Sequence, residues 1–442
     1  MPLSPRARRS VFAIAFFVLA AMGCGDDTGA RPLFAPAVKM VVFSDPHYFP
    51  PSLGTTGSAF ESYLARDRKL IAESDAILRA MVGLVAAESP QVVLVAGDLT
   101  KDGELLSHQV FAEYLRQMQA GGARVFVVPG NHDIENGGAA SYAGDVATPV
   151  ATISAADFAV LYQDFGYRDA LARDPASLGY VAELSPGLWL LALDSCIYGD
   201  APGTSQSGGR ISDPSRAWIK TRLDEAKAKG VRVLAMMHHG VVEHFANQAL
   251  IFPEYVVADR AAIAGLLSAG GVGAVFTGHF HAHDVTRGAI AGLSQSIHDI
   301  ETGSTVTYPC SYRVVDVAFH TLTITTQHVT AIDYDLGGAA DFPSYAHDSL
   351  RLGLEDLITS LIEAPPYSMP ADRAADIAPW LGDGLLAHYV GDEVMPAEVL
   401  AKSQALRSSA SFVEQLAGTM LQSIWTDLDP GDNTVTLDLA AR

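Results

Sequence analysis

Five short polar blocks fall in order along the chain: Asp45-Pro46-His47, Gly97-Asp98, Gly130-Asn131-His132-Asp133, His238-His239 and Gly278-His279-Phe280-His281. They offer carboxylates, imidazoles and one side-chain amide oxygen, and no thiolate. This donor set suits borderline or hard divalent ions such as Mn, Fe, Zn or Co. Asp45-x-His47 puts two ligands on one turn. A carboxylate has two oxygens, so Asp98 is the natural shared ligand of two ions side by side. His279-x-His281 presents two imidazoles to one side of an extended segment. Asn131 adds a neutral oxygen. Its neighbour His132 faces another way and is free for acid–base work, with Asp133 expected to orient it and raise its pKa. His238 and His239 compete for one place. His283 and Asp284 extend the last block, where a supporting or surface role is expected. Each block alone reads as an ordinary turn or capped loop. Independent turn residues have no reason to follow successive apolar runs in this order, and the set together points to a two-metal site.

The runs that must position these blocks are residues 39–44, 92–96, 124–128, 188–193, 231–237 and 274–277, each a short buried strand by composition. Helical spacing appears over 66–88, 155–165 and 214–229, the last closed by Gly230 as a C-cap. Strands alternating with helices predict an α/β layered fold with helices outside. In such sheets ligands gather beyond the carboxyl ends of strands, so five separated segments converge without strain. Residues 311–319 and 321–327 alternate as a hairpin. Beyond 333 the chain turns helical, over 349–363 and 397–425, with Pro365, Pro366 and Pro370 between. A C-terminal helical region is placed at 334–442.

Of 442 residues 49% are hydrophobic and 18% charged, which supports a large core and excludes global disorder. The net charge of −21 argues against nucleic acid as a partner. It does not exclude a small anionic substrate, because metal charge dominates inside a site. Arg6, Arg8 and Arg9 precede an apolar run over 11–22, the pattern of a signal peptide and too short to span a bilayer comfortably. The run ends at Ala21-Met22-Gly23-Cys24, which resembles a lipobox with Ala21 in place of the usual Leu. The expectation is an exported protein of the periplasm or cell envelope, held to the membrane by lipid on Cys24. Residues 1–23 are then the signal and 24–38 a small, polar tether. An ordinary secretory signal or an uncleaved anchor are the competing readings. With Cys24 lipidated, Cys196 and Cys310 are left as a pair that permits a disulfide; two buried thiols are the alternative.

The blocks resemble the pattern of the calcineurin-like metallophosphoesterase superfamily, which runs Asp-x-His, Gly-Asp, Gly-Asn-His-Asp/Glu, His, Gly-His-x-His. The resemblance spans about residues 39–330, within a domain placed at 39–333. It implies a four-layered β-sandwich flanked by helices, two divalent ions and a small phosphate-ester substrate. It implies a first ion on Asp45, His47, Asp98 and His281, and a second on Asp98, Asn131, His238 and His279. It implies attack on phosphorus by a hydroxide that both ions share, with His132 as the catalytic acid and Asp133 beside it. The family's lone His commonly precedes x-Pro; here His239-Gly240 stands there, and His238 is chosen because it ends its strand. Purple acid phosphatases carry Tyr, and protein phosphatases Asp, where this chain has Lys101. The run Lys101-Asp102-Gly103 thus fits neither, and exported bacterial phosphohydrolases, including cyclic-nucleotide phosphodiesterase-like members, look closer. The rival from another class is an envelope binding or scaffolding lipoprotein with an inactive site, disfavoured by the complete ligand set.

Overall fold

In a computed structural model, residues 37–198, 206–289, 296–318 and 320–439 are described. The signal, the lipobox with Cys24 and nearly all of the tether lie outside them. The strands are β1 (Val38–Phe43), β2 (Val92–Val95), β3 (Arg124–Val127), β4 (Ala140–Ala143), β5 (Val146–Pro149), β6 (Ala172–Arg173), β7 (Tyr180–Ser185) and β8 (Leu188–Ala192). They continue as β9 (Arg232–Met236), β10 (Ala274–Thr277), β11 (Val285–Ala289), β12 (Ser296–Glu301), β13 (Ser311–Ala318), β14 (Thr321–His328) and β15 (Thr434–Asp438). One sheet runs β15-β14-β13-β1-β2-β3 and a second β11-β12-β10-β9-β8-β7-β6; β4 and β5 form a separate hairpin. Within them β1, β2 and β3 are parallel, as are β8, β9, β10 and β12.

The near-continuous apolar runs are strands covered on both faces. Leu188, Leu190, Leu234, Met236 and Phe276 share the main core with Val41, Val93 and Leu94 of the other sheet. Their neighbours Trp189, Leu191, Val233, Ala235 and Val275 turn outward onto Ile219 and Leu223 of the helix Asp213–Lys229 and Ile263 and Leu267 of the helix Arg260–Ala269. Helices Ser74–Glu88 and Leu105–Ala120 cover the first sheet through Ile77, Met81, Phe111 and Leu115. Helix, sheet, sheet, helix is the four-layered arrangement expected from the resemblance. Each fully buried Leu or Phe of these layers contributes about 1.5–3 kcal/mol.

Four helices follow, Phe342–Glu363, Ala371–Val390, Ala397–Arg407 and Phe412–Ile424. Leu350, Leu354, Leu381, Leu385 and Leu421 form their common core, which also takes in Phe245 and Phe280 from the layered part of the fold. The helix Ala371–Val390 escaped the sequence pattern because Pro370 caps it and Pro379 sits inside it. The run over 397–425 is two helices rather than one, with the Ser411 side chain accepting from the Glu414 amide to start the second. The chain then returns as β15, antiparallel to β14.

The helix expected from residue 66 starts at Ser74. The one expected to reach 165 stops at Leu161, followed by a turn with Gly166 at φ +116°. Gly230, at φ +67°, closes its helix as expected. Cys196 and Cys310 are both free thiols, so the disulfide does not form. Cys196 Sγ instead donates to the Pro129 carbonyl at 3.3 Å. Among the described residues no helix is long and apolar enough to cross a membrane.

Candidate metal centre

All five blocks follow the carboxyl ends of parallel strands: β1, β2 and β3 in one sheet, β9 and β10 in the other. The loops extend the strand pairing beyond the sheets. Asp45 and His47 amides donate to the Gly97 and Asp98 carbonyls at 3.1 and 3.0 Å, and the Gly278 amide donates to His238 at 3.0 Å. The two sheets are stitched here by the His279 amide, which donates to Asp45 Oδ2 at 3.0 Å. Asp45, His47, Asp98, His279 and His281 all adopt left-handed backbone, with φ of +50°, +37°, +48°, +80° and +67°. Such conformations cost about 1–3 kcal/mol each and collect where side chains must be aimed rather than packed. The glycines of the blocks supply clearance. A Cβ at Gly130 would overlap the Asp98 amide nitrogen and Oδ1, and one at Gly278 would overlap Ser44 Oγ and Asp45 Oδ2.

Two of the three triads of ligand atoms that result are Asp45, His47 and His281, and Asp98, His238 and His279, while the third joins His132 to His47 and Asp98, each with its atoms within 4.8 Å of one another. In the first, His47 Nε2 and His281 Nε2 face each other at 3.1 Å, and Asp45 Oδ1 lies 3.5 Å from His281 Nε2. That carboxylate oxygen is buried with no hydrogen-bond partner. Burial holds the pKa of both imidazoles below the usual value. Neutral lone pairs converging on an orphaned carboxylate oxygen fit a cation. Asp98 Oδ2 joins the triads, 3.6 Å from His47 Nε2 and 3.4 Å from His238 Nε2. Burial alone would raise Asp98, but His238, His132 and His47 outweigh it and hold the carboxyl well below its usual range. His238, pulled down by burial but raised by Asp98, Asp45 and the Ala96 carbonyl together, is pushed up to about 10. That proton is one an ion would replace. Asn131 Oδ1 lies 3.1 Å from His238 Nε2.

The two rival histidines separate by what their nitrogens do. His238 Nδ1 donates to the Ala96 carbonyl at 2.8 Å, which turns Nε2 into the centre. His239 has both nitrogens engaged, Nδ1 with Ser195 Oγ at 2.8 Å and Nε2 with the Ser207 carbonyl at 2.9 Å. It is a supporting ring, packed 4.4 Å from the ring of His279.

His132 sits at the rim, its ring 4.9 Å from that of His47 and its side chain 25% exposed, whereas His47 and His238 are fully buried. Its expected partner was Asp133. The carboxylate that orients it is Asp102, 2.9 Å from Nδ1. Asp133 points back into the protein and accepts from the Leu99, Thr100 and Gly130 amides and from Thr100 Oγ1 at 2.8–3.0 Å. It therefore ties the loop after β2 to the loop after β3. Burial lowers the His132 pKa, but Asp98 and the Asp102 hydrogen bond outweigh it and hold the ring above its usual value. Asp102 is in turn held by Lys101, whose buried ammonium pairs with Asp102 and Glu104 and lies 4.4 Å above the Tyr63 ring. Burial would raise Asp102, but His132 and Lys101 bring it down to about 2. The departure at Lys101-Asp102 thus marks the relay behind His132. Lys69 is a second residue that sequence reasoning passed over. Its ammonium pairs with Asp67 at 3.0 Å, and its charge depresses His47, His132 and His281. It lies in the loop before the helix Ser74–Glu88, and nothing local distinguishes it from any loop lysine.

The calcineurin-like phosphoesterase family model matches residues 38–283. Among solved structures the chain is similar to a dimetal phosphatase from Danio rerio, at 17% identity and a TM-score of 0.47 over 67% of this chain and 97% of that one. It is similar to a purple acid phosphatase from yellow lupin, at 11% identity and 0.43 over 67% and 52%. It is also similar to a putative 5'-nucleotidase from Staphylococcus aureus, at 15% identity and 0.40 over 73% and 59%. No curated protein sequence matches.

Proposed function

Because the chain belongs to the calcineurin-like phosphoesterase family, we propose that it hydrolyses small phosphate mono- or diesters with two divalent ions held at this centre. The observation that carries the reading is Asp98 Oδ2, shared at 3.6 and 3.4 Å between one imidazole of each triad. Asp45, His47, Asp98 and His281 would hold one ion, and Asp98, Asn131, His238 and His279 the other. Without a thiolate among them, Mn, Fe, Zn or Co is the expected class. When bound, the ions lower the pKa of water and neutralise the non-bridging phosphoryl oxygens.

The chain's own groups do the rest. Asp102 accepts the Nδ1 proton of His132, which fixes the tautomer and leaves Nε2 to hold a proton for the leaving oxygen. The buried ligands keep bulk water from the metal side, so electrostatic attraction there is strong.

The purified full chain, supplied with Mn(II), should turn over p-nitrophenyl phosphate or bis-p-nitrophenyl phosphate and lose that activity to a chelator. The preferred ester assigns mono- or diesterase. Absence of both turnover and bound metal would sink the proposal and leave the binding-protein reading.

We extend the proposal to export and lipid anchoring at Cys24, supported by the Arg-led apolar run and lipobox-like Ala21-Met22-Gly23-Cys24. Mass spectrometry of the N-terminal peptide from envelope-purified protein should show an acylated Cys24; an unmodified Cys24 in that peptide would refute the anchor.

A further inference from the structure

Behind the His279–His281 loop lies a second buried group of ligand atoms. Asp284, His388 and Glu393 each offer one atom within 4.8 Å of the others, and all three residues are buried. Asp284, for which a supporting or a surface role is expected, is 0% exposed. His388 belongs to the helix Ala371–Val390, and Glu393 to the turn after it. His388 Nδ1 lies 2.9 Å from Glu393 Oε1 and 3.9 Å from Asp284 Oδ2.

What sets this cluster apart is unspent bonding capacity. Asp284 Oδ2, Glu393 Oε2, His388 Nε2 and His244 Nε2 are all buried without a hydrogen-bond partner. The nearby Asp392 and Asp432 show the contrast. The Asp392 carboxylate accepts from the Asp432 and Asn433 amides, and that of Asp432 from the Val285 and Asp392 amides, at 2.6–3.2 Å. An unsatisfied buried carboxylate oxygen is costly unless a cation or proton meets it.

Asp284, Asp299, Glu301 and Glu393 gather around His244 and His388. Arg313, the buried guanidinium nearby, donates from its two terminal nitrogens to the carbonyls of Asp432, Glu301 and Asp284 at 2.7, 2.6 and 3.2 Å, while its Nε is buried without a partner. His244 Nδ1 meets Asp284 Oδ1 at 2.6 Å and so orients the carboxylate whose other oxygen faces His388. An imidazole holding a ligand carboxylate in place is a recurrent support of metal sites.

We propose that Asp284, His388 and Glu393 bind a third divalent ion, separate from the pair at Asp98 and structural in role. One imidazole and two carboxylates suit Zn(II) or Mn(II), and burial of all three residues keeps them from bulk water. It would fasten the C-terminal helices to the catalytic layers. Glu301 Oε1 accepts the Phe280 amide at 3.1 Å, and the Phe280 ring lies 5.9 Å from that of His388, so the ion would brace the turn that carries His279 and His281. In its absence protons are the competing occupants. Burial pulls His388 down, but Glu393 and Asp284 hold it above its usual pKa.

The test counts ions. The full chain is stripped by chelation, reloaded with excess Zn(II), desalted and measured by plasma mass spectrometry beside its Glu393→Gln variant. The variant should hold one ion per chain fewer than wild type; equal counts overturn the proposal. Should Glu393→Gln fail to fold, the Asp45→Asn/Asp98→Asn double variant, with the catalytic pair disabled, is melted with and without Zn(II). A melting point raised by Zn(II) supports the site, and an unchanged one overturns it. A wild-type excess of one ion over Glu393→Gln, in a protein that hydrolyses no ester, would keep this site and remove only the proposed activity.

Discussion

Replacing Asp98 with Asn is expected to lower kcat/KM by about 10³-fold or more and to leave fewer than two ions per chain. The amide keeps the shape of the carboxylate, so the loss isolates charge and bridging. Asp98 touches both triads, at 3.6 Å from His47 Nε2 and 3.4 Å from His238 Nε2, and its Oδ1 accepts the His132 amide at 2.8 Å. An amide offers one oxygen and no charge, and cannot accept that bond while spanning two cations. The ions supply several kcal/mol of charge stabilisation, and each 1.36 kcal/mol is tenfold in rate. Metal content and kcat/KM measured on the same preparation decide it. Two ions retained at full occupancy would remove Asp98 as the shared ligand.

His132→Ala should behave differently, losing about 10²–10⁴ in kcat while keeping both ions. Its imidazole lies at the rim and its one strong side-chain partner is Asp102 at 2.9 Å. Asp102→Asn should cost less, about 10–100-fold, because it misplaces the ring without removing it. The two losses should not add: in a His132→Ala background the second substitution has nothing left to orient. Leaving group chemistry supplies a further check. A proton donor matters most when the departing oxygen is basic, so the His132→Ala deficit should grow from nitrophenyl to alkyl phosphates. Equal deficits across leaving groups, or metal lost with the ring, would place His132 among the ligands instead.

Much of this centre is written in short-range order. Each parallel strand is buried on both faces and so appears as an unbroken apolar run, and each polar block begins where such a run stops. That made β1, β2, β3, β9 and β10 legible to within a residue or two. Relations across the chain were not. Asp102 meets His132 from 30 residues away and was hidden in a stretch that marks only a departure from the family pattern. Asp133 looked like the partner by adjacency, yet the tight turn sends its side chain to the opposite side, onto the amides of Leu99 and Thr100. His388 and Glu393 lie in a segment crowded with proline and glycine that reads as broken structure, so their convergence with Asp284 has no local signature. The missed strands, β4 to β7, β11, β12 and β15, are short or polar, and owe their conformation to partners already in place.

The pairing of β15 with β14 changes what may be cut away. The four helices are a closed excursion, leaving the first sheet after β14 and rejoining it at β15, rather than an appendage that trimming could remove. Ending the chain near residue 333 would strip β15 from Thr321–His328 and leave a row of unpaired amides and carbonyls on a strand rich in threonine, a template for self-association. The catalytic layers and the helices therefore share a border that is sealed by backbone, and a shortened version that keeps this sheet edge paired must include β15.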